Sequence, residues 1–550
     1  MEQNNAEWLP HLTSEVVADA RGPELDAYAV ALEGWRRGLI LKWHVKDSEK
    51  FSEMKTWFDD KPGKLFSLSS GSKTHYFFRT RGDKVTNEAV EIGGDKVKTK
   101  VRLTKAGISV PEGKSFSEGA QRVDDIVKYA SSIGYPVVLK PGNGSFGRGV
   151  FTNIKDEEGL VRALIYYRNN EEFKQEEIIA EQYIPGKDYR IYVVNDQVAG
   201  AINRIPAHVT GDGTSSIENL IRNKNEDRAQ NPRLVSCLIS IDKELEDFLS
   251  KSGYTVDSIP PEGERIYLTE KSNISIGGDP IDVLDELSED IKDIAIKAMK
   301  AIPGLSHGSV DIITDSRKSE KDGAVVLEVN PTSQIGAILF PLKGKARDIP
   351  SAIIDYYFPE TIGIETDKER IYFDFPDMLE PLLTRSATTS TVSHTPVGKI
   401  YAKKYTVSGD VQGIDYHRGL RKQAFERKLS GFVTNLDTGD IEVVVAGTDQ
   451  DSVDDFKTAL TDDPERSTVN NIHEEVYNAP IKVGFEVKGD LKTSLEELRR
   501  INQRMEVLKR ELKVATTQYR SYERNIFWQA TWPVRKVADI TKSLVRLIKG

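Results

Sequence analysis

The chain has 550 residues, 38% hydrophobic and 29% charged, with a net charge of −10. That length predicts roughly three or four domains, and the acidic balance argues against nucleic acid as a partner of the whole chain. The one cysteine, Cys237, excludes a disulfide framework and a cysteine zinc site and fits a reducing compartment. MEQNNAEWLPHLTSE lacks the basic and apolar segments of a secretory signal. No stretch approaches about 18 continuous apolar residues, so a cytoplasmic protein is expected.

In chain order, ELDAYAVALEGWRRGL has apolar residues at helical spacing and ILKWHV reads as a strand, so residues 1–94 predict a small α/β unit. Residues 95–375 alternate strands and helices. TRSATTSTVSHTPVG is rich in Ser and Thr without apolar period, and 376–398 is expected to be a linker. Residues 399–488 read as a compact β-rich unit with one clear helix. From Leu491, apolar residues through Ile501, Met505, Leu508 and Leu512 to Tyr522 keep one heptad frame, which predicts a coiled coil of about four heptads over 489–526.

Within YPVVLKPGNGSFGRGVF, residues Gly142 to Gly147 spell G-x-G-x-x-G. A P-loop needs Lys-Ser/Thr after its last glycine, and Arg148 stands there. A dinucleotide fingerprint must open a helix, and the strand-like RGVFTNI follows instead. The remaining reading is strand, glycine loop, strand: a hairpin folding over phosphates as in kinases, with Gly144, Ser145, Phe146 and Gly147 at its tip. Lys140, ending the strand PVVLK, is placed to meet a phosphate under that loop. The plain alternative is a hairpin with a flexible tip.

Downstream, Glu181, Gln182, Tyr183 and Ile184 form an extended stretch whose backbone could bond a purine. Asp188 follows where a carboxylate could take ribose hydroxyls. HGSVDIIT and GAVVLEVNP carry Asp311 on one strand and Glu328 and Asn330 on the next. The last two lie two residues apart and face the same side. Three oxygen ligands brought together by a hairpin suit Mg²⁺ (or Mn²⁺), which takes one or two carboxylates plus substrate phosphates. A solvated strand face is the ordinary alternative, but Glu328 lies between Leu and Val, where an unpaired carboxylate is expensive.

This ordered set resembles the ATP-grasp superfamily of carboxylate–amine ligases over about 280 residues. GGDKVKTKVRLTKAGISVPEG resembles the family's opening segment, and the resemblance implies that Lys96 and Lys140 contact nucleotide phosphates. NRIPAHVTGDGTSSIENLI is most similar to the ATP-grasp domains of cyanophycin synthetases and bifunctional glutathione synthetases. Arg204 and His208 there are candidates for holding an acyl phosphate or substrate carboxylate; a salt bridge is the alternative for Arg204. Ser309 stands where D-alanine ligases carry arginine, which weakens that substrate assignment. The resemblance implies ATP and Mg²⁺ as cofactors, and amino-acid or peptide substrates joined through an acyl phosphate.

YTVSGDVQGIDYHRGLRKQAFERKLSGFVTN resembles acylphosphatase, implying a ferredoxin-like α/β sandwich over 399–488. The family's catalytic asparagine matches Asn435. Its phosphate-holding arginine falls on His417, and a neutral imidazole offers one donor where arginine offers a charged fork. Hydrolysis is therefore in doubt, and sensing of an acyl phosphate or a structural role is expected. The adjacent Arg418 points about 100° away on a helix.

The heptads predict a homo-oligomer, with packing of the helix on the protein body as the alternative. Residues 527–550 place Phe527, Trp528 and Trp532 before a basic amphipathic segment, which could lie on an anionic membrane or pack on a partner helix. RSYERNIFWQATWPVRK is weakly similar to an end segment of some cell-surface polysaccharide glycosyltransferases. The leading expectation is thus an ATP-dependent amide-forming ligase acting in cell-envelope or capsule polymer modification, with the tail as a contact for a membrane or an envelope-biosynthesis complex. A hydrolase working through 399–488 and a non-catalytic scaffold with a vestigial ATP site are the other classes. RTRGDK, residues 79–84, could hold an anionic substrate; a solvated basic turn is the plainer reading.

Overall fold

The computed structural model describes residues 6–57, 61–71, 73–142, 148–462 and 467–488, with Met505 and Lys509. The glycine-loop tip Gly144–Gly147, the predicted coiled coil apart from Met505 and Lys509, and the basic tail lie outside the described residues. The chain forms two compact units. One runs to Tyr401 and includes Ala446–Gln450 and Asn478–Val483; the other comprises Ala402–Val445, Asp451–Tyr477 and the chain from Gly484. No helix among the described residues is long and apolar enough to cross a membrane.

The first unit is built on three larger sheets. An N-terminal antiparallel sheet has the order Thr389–Thr391, Ile40–His44, Leu65–Ser70, Lys73–Phe78, Arg81–Gly82. The helix Leu25–Arg36 is buried along its whole length, and Trp35 and Trp43 are fully enclosed. The 376–398 linker expectation is corrected here. Phe375–Leu383 is a helix, and Thr389–Thr391 pairs with Lys42–His44 as an edge strand. β-Branched threonine suits a pleated, half-buried strand, and composition alone had suggested a loop.

A second, four-stranded sheet orders Gly113–Phe116, Ile178–Gln182, Val137–Pro141 and Phe151–Ile154, each pair antiparallel. Val137, Leu139, Ile178 and Ala180 pack with Leu160, Leu164 and Tyr167 of the helix Glu157–Asn169. Asp156 caps that helix by accepting the Gly159 N–H. So a strand does follow the glycine loop, and the helix comes later.

The third sheet is central and antiparallel, in the order Asp279–Asp282, Gln197–Ile205, Gly186–Val194, His307–Asp315, Ala324–Asn330. The helix Glu289–Lys300 packs Ile291, Ala295 and Met299 against Ile191, Val310, Ile312 and Val326. Gly186 opens its strand because the neighbouring backbone allows nothing larger: a Cβ there would lie 1.8 Å from the Thr314 carbonyl oxygen.

The second unit has strands Tyr401–Asp410, Ser430–Asn435, Ile441–Gly447, Thr468–Val476 and Phe485–Lys488, with helices Ile414–Glu426 and Gln450–Ala459. Numbered by position in the chain, the sheet order is fourth, first, third, second, fifth. Two β-α-β passes interleaved in this way form the predicted ferredoxin-like sandwich. Two helices stand where the sequence suggested one. Gly409 carries φ +139, and a Cβ would lie 1.9 Å from the Thr468 carbonyl oxygen, so the end of this strand, just before the loop 411–413, requires glycine.

Candidate functional site

One cavity of about 1060 Å³ in the first unit is lined by Lys96, Lys140, Glu181–Ile184, Asp188, Arg204, Asp311, Glu328 and Asn330. The ATP-grasp residues expected from sequence thus gather on its walls, apart from His208 and the undescribed loop tip. His208 is buried on the strand His208–Thr210, with Nδ1 2.9 Å from the Pro206 carbonyl oxygen. It does not line the cavity. Burial and the charge of Lys224 lower its pKa. The residue pairs with Tyr267 on a short antiparallel strand pair, two residues beyond Pro206, which does line the cavity.

The cations on the hairpin side are tied to carboxylates. Lys96 is the first residue of the helix Lys96–Lys105, whose cap Asp95 accepts the Val97 and Lys98 N–H groups. Its N–H also reaches the Gly142 carbonyl at 3.5 Å, joining the helix start to the glycine hairpin. Burial lowers its pKa; Glu328 opposes that shift and Lys140 adds to it. Lys140 is ion-paired with Glu181, and Lys100 reaches the other Glu181 oxygen at 3.2 Å. The Glu181 carboxylate is therefore held between two lysines, which the reading of residues 181–184 as a backbone hinge had not anticipated. In that stretch the Gln182 N–H donates to Glu112 O at 2.8 Å and the Tyr183 N–H to Pro136 O at 3.1 Å. Those two N–H groups are already committed.

The central sheet supplies a denser charge cluster. Asp311 stands opposite Glu328 on one side and Arg190 on the other. Arg190 grips it bidentately, Nε to Oδ1 at 2.9 Å and an Nη to Oδ2 at 2.8 Å. Arg204 lies 2.9 Å from the same Oδ2 and 2.6 Å from Asp188 Oδ1. Asp188 also accepts from the Ser272 hydroxyl. Asn330 Nδ2 donates to Glu328 Oε1 at 3.2 Å. Burial would raise the Asp311 pKa, but the charges of Arg190 and Arg204 outweigh it and hold the carboxyl well below its usual range. Burial likewise disfavours the Arg204 cation, yet Asp188 and Asp311 raise its pKa overall.

Arg190 was missed from sequence. Its signal was present: it lies two residues after Asp188 on one strand, and so on the same face. Ser272 and Lys100 were also missed, and nothing local in the sequence marks either as neighbours of this site.

In the second unit, His417 lies on the helix Ile414–Glu426 and Asn435 ends the strand Ser430–Asn435. His417 is 3% exposed and its Nε2 has no hydrogen-bond partner. Burial lowers its pKa, so the ring is neutral at pH 7. Asn435 is exposed. Gln412 braces the preceding loop by donating to Leu436 O and Asp440 O at 3.1 and 3.2 Å. Arg418 is solvent-exposed and pairs with Asp415 at 3.7 Å.

Comparison with known proteins matches residues 93–217 to the RimK-like ATP-grasp domain and residues 403–487 to acylphosphatase. The cyanophycin synthetase of Synechocystis sp. PCC 6803 is 35% identical over 275 residues, 49% of this chain and 31% of that protein. The glutathione biosynthesis bifunctional protein GshAB of Desulfotalea psychrophila is 34% identical over 309 residues, 54% of this chain and 38% of that protein. A crystal structure of a bifunctional glutathione synthetase from Pasteurella multocida is 28% identical, with a TM-score of 0.40, covering 54% of this chain and 41% of that one. The chain therefore spans about a third of the length of the curated relatives it matches.

Proposed function

We propose that this chain, which joins a RimK-like ATP-grasp domain to an acylphosphatase domain, is an ATP-dependent ligase. It forms an amide bond between a carboxylate and an amine. The observation that carries this reading is the convergence of Lys96 and Lys140 with Asp311, Glu328 and Asn330 on one cavity. A carboxylate resists amine attack because its leaving group would be oxide. Transfer of the ATP γ-phosphoryl to a carboxylate oxygen gives an acyl phosphate, and amine attack then expels phosphate.

The chain's task is positioning and charge neutralisation rather than nucleophilic catalysis. Lys140 and Lys96 hold phosphate charge from the hairpin side, and Arg204 faces the acyl group. Asp311, Glu328 and Asn330 offer side-chain oxygens from adjacent strands, a donor set that fits Mg²⁺. When bound, that ion would supply positive charge that neutralises phosphate. The salt bridges of Arg190 and Arg204 to Asp311 keep the carboxylate ionised and oriented. Phosphate release from ATP across a panel of amino acids and dipeptides tests the reading. Release that depends on an added amine supports it; failure to bind nucleotide overturns it.

The acylphosphatase domain is best read as a binder of acyl phosphates that does not hydrolyse them well. The missing arginine favours this: neutral, buried His417 cannot supply its charge. Retaining or sensing the ligase intermediate is the role proposed for it. Acetyl phosphate offered to the full chain should bind without rapid hydrolysis. Oligomerisation through 489–526 and membrane or envelope-complex contact through 527–550 are proposals from sequence alone. Light scattering of a chain ending at residue 488, and liposome flotation of one ending at 526, test them.

A further inference from the structure

The wall of the cavity beyond the metal ligands comes from segments that the phosphoryl-transfer chemistry does not use. Most cations along the cavity have a carboxylate partner. Lys55 pairs with Glu91 at 3.0 Å, Arg148 with Glu172 at 3.0 Å and Lys271 with Glu244 at 2.8 Å, besides the pairs described above. Arg79 and Arg233 differ. Arg79 is half-buried and its guanidinium lies over the Phe78 ring, 5.7 Å from the centroid; it makes no hydrogen bond or ion pair among the described residues, and its Nε is buried without a partner. Arg233 is 5% exposed and bonds only neutral atoms: Ser236 Oγ at 2.9 Å, Cys237 Sγ at 3.0 Å and Gln334 Oε1 at 2.8 Å.

Both arginines line the cavity with Thr332, whose hydroxyl is buried and also unpartnered. Thr332 lies two residues beyond Asn330, so this wall adjoins the reacting end. Arg79 has φ +55, a left-handed conformation that non-glycine residues seldom adopt. Its N–H donates to Lys64 O at 2.8 Å, which pins that backbone. Asp26 feels the charge of both arginines, yet forms no ion pair with either among the described residues. Its Oδ1 instead accepts the Ile335 and Gly336 N–H groups at 2.9 and 3.0 Å. One carboxylate, itself committed to backbone N–H groups, therefore stands against two guanidiniums. Arg233 is buried without a carboxylate partner among the described residues, and a buried charge of that kind is costly unless a ligand completes it.

We propose that Arg79, Arg233 and the Thr332 hydroxyl form a subsite for a non-reacting carboxylate of the substrate. The ligated molecule then carries a second carboxylate besides any that reacts, as acidic amino acids and peptides ending in a free carboxylate do. Two guanidiniums and a hydroxyl match the acceptor geometry of a carboxylate. Anchoring that end leaves the other end directed at the phosphoryl-transfer residues. The chemical role of the subsite rests on the ligase reading; its capacity to bind a carboxylate does not.

The test is calorimetric titration of the full chain with L-glutamate, L-aspartate, glutarate and glycylglutamate, nucleotide-free and loaded with Mg²⁺ and a non-hydrolysable ATP analogue. Trp57 lines the same cavity, so its fluorescence gives a second readout. Wild type binds at least one probe. Arg79→Gln weakens it about tenfold to hundredfold, the effect of one charge-assisted hydrogen bond, and leaves analogue affinity within about twofold. Thr332→Val, which removes only an unpartnered hydroxyl, weakens the probe without lowering the melting temperature. Probe affinity unchanged in Arg79→Gln, no probe bound by wild type, or equal loss of probe and analogue would each overturn the subsite. Probe binding without any analogue binding would overturn the ATP reading and leave the subsite standing.

Discussion

The two units treat a buried ionisable side chain in opposite ways. In the first, Asp311 is 2% exposed yet ionised, because Arg190 and Arg204 close on it at 2.8 and 2.9 Å. In the second, His417 is 3% exposed and stands neutral, its Nε2 without a partner. A buried site keeps charge only where each ion has a counter-ion close by. Where the charged member is replaced, the fold survives. Val407, Val433, Val443 and Val445, all fully buried, build the core of the second sheet. Fold and chemistry are thus separable here, and the separation can be pressed experimentally from either side.

The largest effect falls on the balanced cluster. Asp311→Asn leaves the buried Arg204 and half-buried Arg190 guanidiniums without their shared partner and removes a predicted metal ligand. Loss of one member of a buried pair costs about 3–5 kcal/mol, so urea denaturation should show a lowered midpoint. Lys140→Met is the cleaner kinetic probe. Removing one preorganised charge donor should lower amine-dependent phosphate release about 10²–10³-fold. Phosphate release within twofold of wild type in Lys140→Met would remove that lysine from the site.

The next effect is a gain. His417→Arg restores the acylphosphatase pattern beside Asn435. If charge is what the second unit lacks, hydrolysis of acetyl phosphate by the full chain should rise about tenfold to hundredfold. Arginine is larger than histidine, so overpacking should cost about 1–3 kcal/mol, read as a lower melting temperature. No gain in a variant that still melts cooperatively would mean that the second unit differs from its family by more than one residue.

How much of this was legible beforehand depended on whether a residue's partner lay nearby in sequence. The strand after Gly147 and the helix capped by Asp156 follow from local pattern, and both are present. Glu328 and Asn330 share a strand face by alternation, and their hydrogen bond follows. Arg190 was within reach by that same alternation from Asp188. Consecutive letters do not show which residues of RIPAH share a wall: Arg204 and Pro206 line the cavity and His208 does not. Thr389–Thr391 was misread because an edge strand's partner, Lys42–His44, is more than 340 residues away. The unpaired state of Arg79 is invisible in RTRGDK, since a missing counter-ion is a property of three dimensions.

Acid should separate the two units by a smaller margin. Burial holds His307 down to about 3, and His11 and His44 to about 4. All three lie in the first unit. Each folded pKa is below the ordinary value of about 6.5, so protons favour the unfolded chain. The stability is present above about pH 6.5 and is lost as the pH falls toward the folded pKa. For His307, bonded to Tyr192 and Tyr357 hydroxyls at 3.2 and 3.1 Å, the loss is about 2 kcal/mol by pH 5. Asp26 and Asp348, whose pKa burial raises, act in the opposite sense. The measurement is therefore the difference between wild type and His307→Gln. The variant's first unfolding transition should change less between pH 7 and pH 5.

The smallest expected effect bears most directly on the contrast. Arg418 adjoins His417 and is the cation closest in sequence to the vacant arginine position. Its side chain is 63% exposed and within ion-pair reach of Asp415 at 3.7 Å, three residues earlier on the same helix. An exposed pair of this kind contributes about 0–1 kcal/mol. A residue one position along a helix is rotated about 100° from its neighbour, so Arg418 cannot occupy the direction that His417 takes. Arg418→Ala should therefore leave acetyl phosphate affinity and hydrolysis within about twofold of wild type, a change worth less than half a kcal/mol. A tenfold loss would mean that the helix presents Arg418 to the phosphate. The second unit would then carry its charge one residue late, and neutrality at His417 would no longer argue against hydrolysis.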